Sequence, residues 1–422
     1  MTDCCKINKV YMVKAVFLIW VLLTMPVRLF AQYFDKPALL VPYIENAPEV
    51  NSRAAVLIDA ETGTLLYSKN PDEEIPPASL TKLMTMHLVM KAVKEGRASY
   101  DEIIPVTVES WARNQPRGSS LMFIAPGQTV SLRELMLGTA VSSGNDSSVA
   151  LALRLSSSMS DFAELMTMEA RAMGLHVTRF TESSGISEFN ITTASEFTHF
   201  CRQYINLHPE SLKEFHSVES FAYPLSHNVA AAFRNDPRTI LQDNRNSLLK
   251  TFSGADGLKT GFIYESGYNL ALTAERNNTR LISVTLGADS VRSRNADGER
   301  LLSWAFENFK TVRPVIDRIE SPRLWKSREN FAELKITESL DFISPSERAG
   351  FLYFETEIPE PLIAPLPLGF KAGYLVIFDE YGEVKRAPLF TSRAYERGNI
   401  FKRIWHSILL FFNKKKDLSA KQ

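Results

Sequence analysis

A serine and a lysine three residues apart, Ser79 and Lys82, are the first pair in this 422-residue chain whose types and spacing suit chemistry. They stand at the start of a predicted helix, where residues three apart project from one face. A serine hydroxyl is a poor nucleophile without a base, and an amine is a base only when deprotonated. Lys82 would therefore need burial, or a nearby cation such as Lys259, to lower its pKa.

This spacing alone is not specific, because Ser247 and Lys250 repeat it later in the chain. A serine two residues before an asparagine is more common still, and it occurs at Ser68, Ser143, Ser226 and Ser293. The sequence Lys259-Thr-Gly261, by contrast, occurs once. It comes just before a predicted apolar strand, where a glycine would let a bound acyl chain approach the backbone.

Order along the chain and local setting select one member of each pattern. Ser79 opens a buried helix, Ser143 stands in a turn between two helices, and Lys259 lies at the edge of a strand. Only these three meet all the conditions. Serine-lysine, S-x-N and K-T-G patterns in this order are the set found in β-lactamases and penicillin-binding proteins.

The elements that must position these residues are predicted from hydrophobic patterns and turn signals. Two apolar runs on either side of residues 59–63 predict a β-hairpin. Residues 79–95 are apolar nearly all round, which predicts a buried helix that ends at Gly96. Ser131 and Glu134 form a capping-box pattern at the start of another helix.

Further helices are predicted over residues 160–173 and 193–207, followed by strands at residues 267–275 and 280–287. A further helix runs through Trp304. This order of strands, helix cluster, strands and helix predicts an α/β (α+β) fold in which an antiparallel sheet packs against helices.

After residue 311 the composition changes, and prolines separate short apolar runs such as residues 334–337 and 374–378. Such spacing predicts a small all-β domain. Residues 400–412 place apolar side chains on one face of a helix and basic ones opposite. The chain is therefore predicted to consist of a signal peptide (residues 1–31), a catalytic domain (32–311), a β-rich domain (312–398) and an amphipathic helix (399–416).

The N-terminus has the pattern of a secretory signal. Three lysines precede an apolar run at residues 15–25, and a small residue, Ala31, follows. The run is short for a bilayer span, which needs about 20 residues. We expect export of the chain and a mature start near Gln32.

Composition excludes several classes of protein. Lysine plus arginine number 48, and so do aspartate plus glutamate, so no overall field favours a nucleic-acid partner. Two of the three cysteines lie in the predicted signal, which leaves Cys201 without an internal disulfide partner. The seven histidines form no H-E-x-x-H pattern, and no metal or other cofactor is predicted.

Four stretches together resemble the low-molecular-mass penicillin-binding proteins that are D-alanyl-D-alanine carboxypeptidases. They are P-A-S-L-T-K at residues 77–82, S-G-N-D at 143–146, D-G-L-K-T-G at 256–261 and G-Y-N-L at 267–270. Residues 365–369, P-L-P-L-G, resemble the β-rich second domain of that family, so the resemblance covers about residues 50 to 412. It implies a β-lactamase/transpeptidase-like catalytic fold.

The resemblance also implies roles for individual residues. Ser79 would be the acylated nucleophile, Lys82 its general base, and Ser143 the residue that passes a proton to the leaving D-alanine amine. The implied substrate-binding residues are Asn145, Lys259, Thr260, Gly261, Phe262 and Arg294. Of these, Lys259 and Thr260 would bind the terminal carboxylate. The backbone N–H groups of Ser79 and Phe262 would form the oxyanion hole.

Two charged residues have simpler alternatives. Arg294 is expected to help bind the carboxylate, but it could instead pair with Asp289 or Asp297 at the surface, and Arg292 competes for its role. Glu182 is a candidate for the base in deacylation. We expect it to be a solvated loop charge.

The implied function is removal of the terminal D-alanine from pentapeptide stems of peptidoglycan through an acyl-enzyme, with β-lactam antibiotics as covalent inhibitors. A β-lactamase, a DD-endopeptidase of the same fold and a non-catalytic peptidoglycan-binding protein are the alternatives. A β-lactamase would need neither the β-rich domain nor the last helix. A binding protein would be expected to have lost Ser79 or Lys259, and both are present.

The last helix is predicted to bind a membrane surface through residues 399–416, because it is too short and too basic to span a bilayer. Lysines 414–416 would add attraction to anionic lipids. The alternative is a helix packed on its own domain. Together with the signal, this predicts a peripheral protein on the periplasmic face of the bacterial inner membrane.

Overall fold

The computed structural model describes residues 47–316, 318–348 and 350–419. The predicted signal peptide, residues 1–31, lies outside the described residues. In the larger, N-terminal part the strands are β1 (Ala54–Asp59), β2 (Leu65–Lys69), β3 (Ile103–Ile104), β4 (Val130–Ser131), β5 (Ser220–Tyr223), β6 (Ile240–Asp243), β7 (Ala255–Ile263), β8 (Gly267–Arg276), β9 (Thr279–Ala288) and β10 (Phe309–Val312). The helices are α1 (Lys82–Lys94), α2 (Leu132–Ala140), α3 (Asn145–Leu155), α4 (Met159–Ala172), α5 (Ala194–Leu207), α6 (Leu248–Thr251) and α7 (Val291–Asn308).

A five-stranded antiparallel sheet, in the order β2-β1-β9-β8-β7, is the centre of this part. Side chains alternate between the two faces of a strand. In β1, Val56 joins the apolar cluster shared with α1, whereas Leu57 joins the cluster shared with α7. Both faces of the sheet are therefore covered by helices, and β7 is left at one edge.

The local sequence signals are confirmed in most of these elements. β1 and β2 form the predicted hairpin, and Ser131 and Glu134 make both hydrogen bonds of a capping box. The predicted buried helix begins with a 3-10 turn, Ala78–Thr81, before α1. Gly96 follows α1 with a φ of +71°, as a helix-ending glycine should.

The K-T-G sequence comes before the apolar strand β8, as predicted, but it also lies inside a strand of its own, β7, which was not predicted. Lys259 pairs with Ala271 and Gly261 pairs with Asn269 on β8. A lysine, a threonine and a glycine carry no apolar alternation, so the strand was not evident from its sequence. The position of β7 at the sheet edge leaves one side of this strand without a strand partner.

The smaller, C-terminal part is built from β11 (Leu324–Trp325), β12 (Leu334–Ile336), β13 (Phe342–Pro345), β14 (Tyr353–Glu357), β15 (Leu362–Ile363), β16 (Lys371–Asp379) and β17 (Gly382–Thr391). Four of these strands form a sheet in the order β12-β17-β16-β14. The runs predicted at residues 334–337 and 374–378 fall in β12 and β16. The predicted boundary after residue 311 lies within β10, which pairs with β13.

The last helix, α8 (Ile400–Ser419), contacts β11 and the segment that follows it, residues 326–330, through polar side chains. Nδ1 of His406 accepts a hydrogen bond from the backbone N–H of Lys326 at 2.8 Å, and its ring lies edge-on to Trp325. Lys402 donates to the carbonyl of Arg328. The exposed apolar side chains of α8 are Ile400, Phe401, Ile404, Trp405, Ile408, Phe411 and Phe412. Within the described residues, no helix has the length and apolar character needed to cross a bilayer.

Candidate active site

Ser79 lies in the 3-10 turn that leads into α1, and the backbone of this turn is held from two sides. Ala78 has a φ of +50°, in the left-handed region. A side chain at Gly261 on β7 would come within 2.9 Å of the Pro77 carbonyl and 3.0 Å of the Ser79 nitrogen. A side chain at Gly185 would overlap the Ala78 carbonyl. The peptide before Ser79 is therefore packed between two glycines.

Lys82, the first residue of α1, is fully buried beneath Ser79. Its Nζ lies 3.0 Å from Ser79 Oγ, 2.8 Å from Asn145 Oδ1 and 2.5 Å from the carbonyl oxygen of Ser184. These three acceptors match the three N–H bonds of an ammonium. Once the amine is neutral, its lone pair can instead accept the proton of the Ser79 hydroxyl.

Burial lowers the pKa of Lys82 from its usual 10.5 to about 7. The negative charges of Glu182 and Asp146 act in the opposite direction but are outweighed. A substantial fraction of Lys82 is therefore neutral near pH 7, which a general base for Ser79 requires.

Ser143 and Asn145 lie where the turn after α2 enters α3. Ser143 is buried with a φ of +58°, and Asn145 is the first residue of α3. The Asn145 side chain bridges two segments, because its amide nitrogen donates to Ser119 Oγ at 3.0 Å while its oxygen accepts from Lys82. The structure thus brings the S-x-N sequence to the serine-lysine pair.

Asp146, next to Asn145, holds the neighbouring segment at residues 122–124. Its carboxylate accepts the backbone N–H groups of Met122, Phe123 and Ile124 at 2.7 to 3.1 Å. These bonds hold the segment that also carries Ser119. A buried carboxylate with this many N–H donors is a structural anchor.

Lys259 and Thr260 come from the edge strand β7 and are both buried. Lys259 Nζ donates to the backbone oxygen of Thr260 at 3.1 Å. Burial lowers the pKa of Lys259 well below its usual value, and the positive charges of Lys82, Arg245 and Arg294 lower it further. A carboxylate entering this cluster would offset that repulsion, so the cluster suits an anionic end of a substrate.

A model of the D-alanyl-D-alanine carboxypeptidase family matches residues 42–290, which include Ser79, Lys82 and Lys259 and end before Arg294. The chain belongs to the D-alanyl-D-alanine carboxypeptidase family, peptidase S11. The family resemblance expected from the sequence is thereby confirmed.

Individual carboxypeptidases match the chain beyond this region. D-alanyl-D-alanine carboxypeptidase DacC of Escherichia coli is 32% identical over 388 residues, which cover 90% of this chain and 93% of that protein. The crystal structure of penicillin binding protein 5 from Haemophilus influenzae has a TM-score of 0.76 at 29% identity, covering 84% of this chain and all of that one. The similarity therefore extends into the C-terminal β-rich part.

A structure with a bound β-lactam also matches. Penicillin-Binding Protein D2 from Listeria monocytogenes, in its ampicillin-bound form, is 30% identical with a TM-score of 0.53 over 62% of this chain and all of that one. Together with the two-sided α/β sheet, these similarities confirm the predicted α/β, transpeptidase-like fold class.

Phe262 and Arg294 lie at the border of the site in this carboxypeptidase. Phe262 follows Gly261 on β7, is 40% exposed, and contacts Tyr268, with the two rings tilted and their centroids 4.4 Å apart. Arg294 lies in α7, which follows β9, and is buried. Its guanidinium donates to Asn295 at 2.9 and 3.0 Å and adds positive charge at Lys259.

The alternative of a surface ion pair for Arg294 was wrong. Arg294 is buried, and the carboxylate of Asp297 is engaged by Ser52 instead. Arg292, the competing arginine, is exposed.

The interpretation of Glu182 as a solvated charge was also wrong. Its carboxylate accepts hydrogen bonds from Ser184, Gly185 and Asn190 within its own loop. The Ser184 carbonyl and Gly185 were not predicted, although they contact Lys82 and the turn of Ser79. The S-S-G sequence at residues 183–185 is the only local signal, and nothing in it indicates a contact with residues about 100 positions away.

Proposed function

We propose that this carboxypeptidase acts through an acyl-enzyme formed on Ser79, with Lys82 as general base. The observation that carries the proposal is the 3.0 Å hydrogen bond between Lys82 Nζ and Ser79 Oγ, combined with a pKa of about 7 for the buried amine. Neutral Lys82 takes the hydroxyl proton as Ser79 Oγ attacks the carbonyl carbon of the penultimate D-alanine. General-base catalysis of this kind contributes roughly 10²- to 10⁴-fold to a rate.

The remaining roles are those that the family resemblance implies. The backbone N–H groups of Ser79 and Phe262 stabilise the oxyanion, and Ser143 passes a proton to the departing D-alanine amine. Gly261 lets β7 lie directly against the backbone of the turn that carries Ser79. Water then hydrolyses the ester on Ser79 and releases the shortened stem.

The terminal carboxylate of the stem is bound by Lys259 and Thr260, with Arg294 behind them. The mutual repulsion of Lys259, Arg245 and Arg294 supports this assignment, since an anion relieves it. Asn145 holds Lys82 with its oxygen and binds the peptide group of the substrate.

β-Lactam antibiotics present an amide and a carboxylate to the same groups, so we propose that they acylate Ser79. Intact-mass measurement after incubation with penicillin tests this. The native chain should gain one long-lived adduct, Ser79→Ala should gain none, and Ser247→Ala should behave as the native chain. Rapid loss of the adduct would favour a β-lactamase, and no adduct on the native chain would favour a non-catalytic binding protein.

The same experiment leaves the endopeptidase alternative open. A pentapeptide stem and a crosslinked stem dimer, supplied to the native enzyme in parallel, distinguish the two. We expect release of D-alanine from the pentapeptide to be the faster reaction; preferential cleavage of the dimer would contradict this.

We further propose that the chain consists of the domains predicted at residues 32–311 and 312–398, is exported, and is attached peripherally to the periplasmic face of the inner membrane through residues 399–416. The support is the two-sided character of α8. Lys402 and His406 hydrogen-bond to the segment after β11, whereas the apolar face, which includes Phe401 and Trp405, is exposed. Helices with this character lie in the lipid interface.

Deletion of residues 399–422 should move the enzyme from the membrane fraction to the soluble fraction. Phe401→Glu on the exposed face is the finer test, because it leaves the contacts of Lys402 and His406 in place. Retention of both variants at the membrane would contradict this attachment.

A further inference from the structure

Glu182 has an unusually complete set of hydrogen bonds for a side chain in a loop. One carboxylate oxygen accepts from the backbone N–H and the hydroxyl of Ser184, each at 2.6 Å. The other accepts from the backbone N–H of Gly185 at 2.6 Å and from the side-chain amide of Asn190 at 2.8 Å. Hydrogen bonds to an ionised acceptor are short and about twice as strong as neutral ones, so this carboxylate fixes the path of residues 182–185.

The loop that Glu182 fixes touches the proposed catalytic residues at two points. The carbonyl of Ser184 accepts a hydrogen bond from Lys82 Nζ at 2.5 Å. Gly185 lies directly against the Ala78 carbonyl, with no room for a side chain. The loop therefore supports both the amine of Lys82 and the turn that carries Ser79.

A second connection runs through Asn190. Its amide nitrogen donates to Glu182 and also lies 3.2 Å from Thr81 Oγ1, next to Lys82. The neighbouring carbonyl of Ser183 accepts from Thr85 on α1 at 2.8 Å. The loop is thus bound to the first turns of α1.

Three charged groups face Lys82 from the elements packed against it. Glu182 approaches from this loop and Asp146 from α3, and both favour the protonated amine. Lys259 approaches from β7, and its charge and that of Lys82 repel each other. Asp146 is engaged by backbone N–H groups of the segment at residues 122–124, whereas the loop bound by Glu182 contacts Lys82 directly.

We infer that Glu182 is a positioning residue for the general base. Its carboxylate fixes the Ser184 carbonyl on the Lys82 amine and Gly185 against the Ser79 turn, and its negative charge acts on the same amine. This inference rests on the proposed function, in which Lys82 deprotonates Ser79.

The test is the second-order rate constant for acylation by a fluorescent penicillin, measured from acidic to alkaline pH and normalised to the amount of protein that finally carries the label. The variants are Glu182→Gln, Glu182→Asp and the matched control Glu188→Gln. Glu188 is an exposed glutamate six residues further along the same loop. Thermal unfolding of each variant reports whether it folds.

In Glu182→Gln one carboxylate oxygen becomes an NH₂ group that meets N–H donors of the loop. We expect the maximal acylation rate to fall roughly 10²-fold, the cost of displacing a catalytic group by about 1 Å. Because an anion near Lys82 is lost, the acidic limb of the pH profile should also move to lower pH, by about one unit. Glu188→Gln should match the native protein in both measurements.

Glu182→Asp keeps the charge but shortens the reach to the loop. Its acidic limb should stay in place while its maximal rate falls roughly tenfold. This variant also decides the question if Glu182→Gln fails to fold, since a native maximal rate in Glu182→Asp would overturn the inference.

A lower maximal acylation rate in Glu182→Gln, with the acidic limb of the pH profile unmoved, would show that Glu182 only stabilises the loop. That outcome would overturn the inference. Native values for both quantities would do the same. Failure of the native protein to be acylated at all would instead refute the proposed function, so the two failures are distinguishable.

Discussion

The chain contains two serine-lysine pairs with the same spacing, and their surroundings differ completely. Lys82 is fully buried and its amine contacts Ser79 Oγ, Asn145 Oδ1 and a backbone carbonyl. Lys250 is half exposed and pairs with Asp243 at 3.1 Å. The spacing places two side chains on one face in both cases, but Lys82 is buried, and burial lowers its pKa to about 7.

The serines differ as well. Ser79 sits in a turn held between two glycines, with Lys82 as its hydrogen-bond partner. Ser247 precedes the short helix α6, and its hydroxyl accepts from Asn295 at 2.8 Å. The chemistry of a serine-lysine pair therefore depends on burial of the amine and on contacts with distant segments of the chain.

The largest expected effect separates the two lysines directly. Lys82→Ala should lower the acylation rate by penicillin roughly 10²- to 10⁴-fold, because the base of Ser79 is lost. Lys250→Ala should leave that rate at the native value and change the free energy of unfolding by less than about 0.5 kcal/mol. Stopped-flow or quenched measurement of the acylation rate checks this for both variants. Equal losses of rate would contradict the assignment of Lys82 as the base.

The next effect concerns the packing around Ser79. Gly185→Ala should lower the free energy of unfolding by about 3 kcal/mol, because the new methyl group overlaps the Ala78 carbonyl at a φ of +82°. Gly96→Ala is the matched control, with a φ of +71° and no atom within 4 Å of the added methyl. It should cost only about 1 kcal/mol. Chemical denaturation measures both, and a similar cost would show that the turn tolerates a side chain.

The pH dependence provides a smaller effect. With a pKa of about 7, Lys82 is neutral above that pH and protonated below it. The acylation rate should therefore be half-maximal near pH 7 on the acidic side and fall about tenfold for each further unit of acidity. A rate profile at constant ionic strength tests this. An acidic limb close to pH 10 would mean that burial does not lower the pKa of Lys82.

The smallest effect is expected at the second pair. Asp243→Asn removes the ion pair of Lys250, whose partners are 48% and 73% exposed. Such surface pairs contribute about 0.2–1 kcal/mol, so the melting temperature should shift slightly and acylation should not change. A change in the acylation rate would mean that the second pair communicates with the first.

What the sequence predicted well was local. The capping box of Ser131 and Glu134 depends on residues three apart, and the β1–β2 hairpin depends on a short turn, so both were evident from the sequence. The serine-lysine, S-x-N and K-T-G patterns also indicated which segments to expect together, because their order could be compared with a family.

What the sequence did not reveal depends on long-range packing. The Ser184 carbonyl that binds Lys82 lies 102 residues away along the chain, and any residue type presents a carbonyl. Glu182 looked like an ordinary loop glutamate, because its partners are backbone N–H groups, which every sequence contains, and the common side chains of Ser184 and Asn190. The strand at residues 259–261 was not evident for a different reason. These residues belong to the proposed site and do not show the apolar alternation of a strand.

The two glycines around Ser79 also limit how the enzyme can escape a covalent inhibitor. Both walls of the nucleophile turn are main chain, and a methyl group at Gly261 would already stand 2.9 Å from the Pro77 carbonyl. Few substitutions are therefore possible at these two glycines under selection by a β-lactam. Resistance substitutions that preserve wall synthesis are expected instead among side chains at the rim, of which Phe262 is the most accessible on β7.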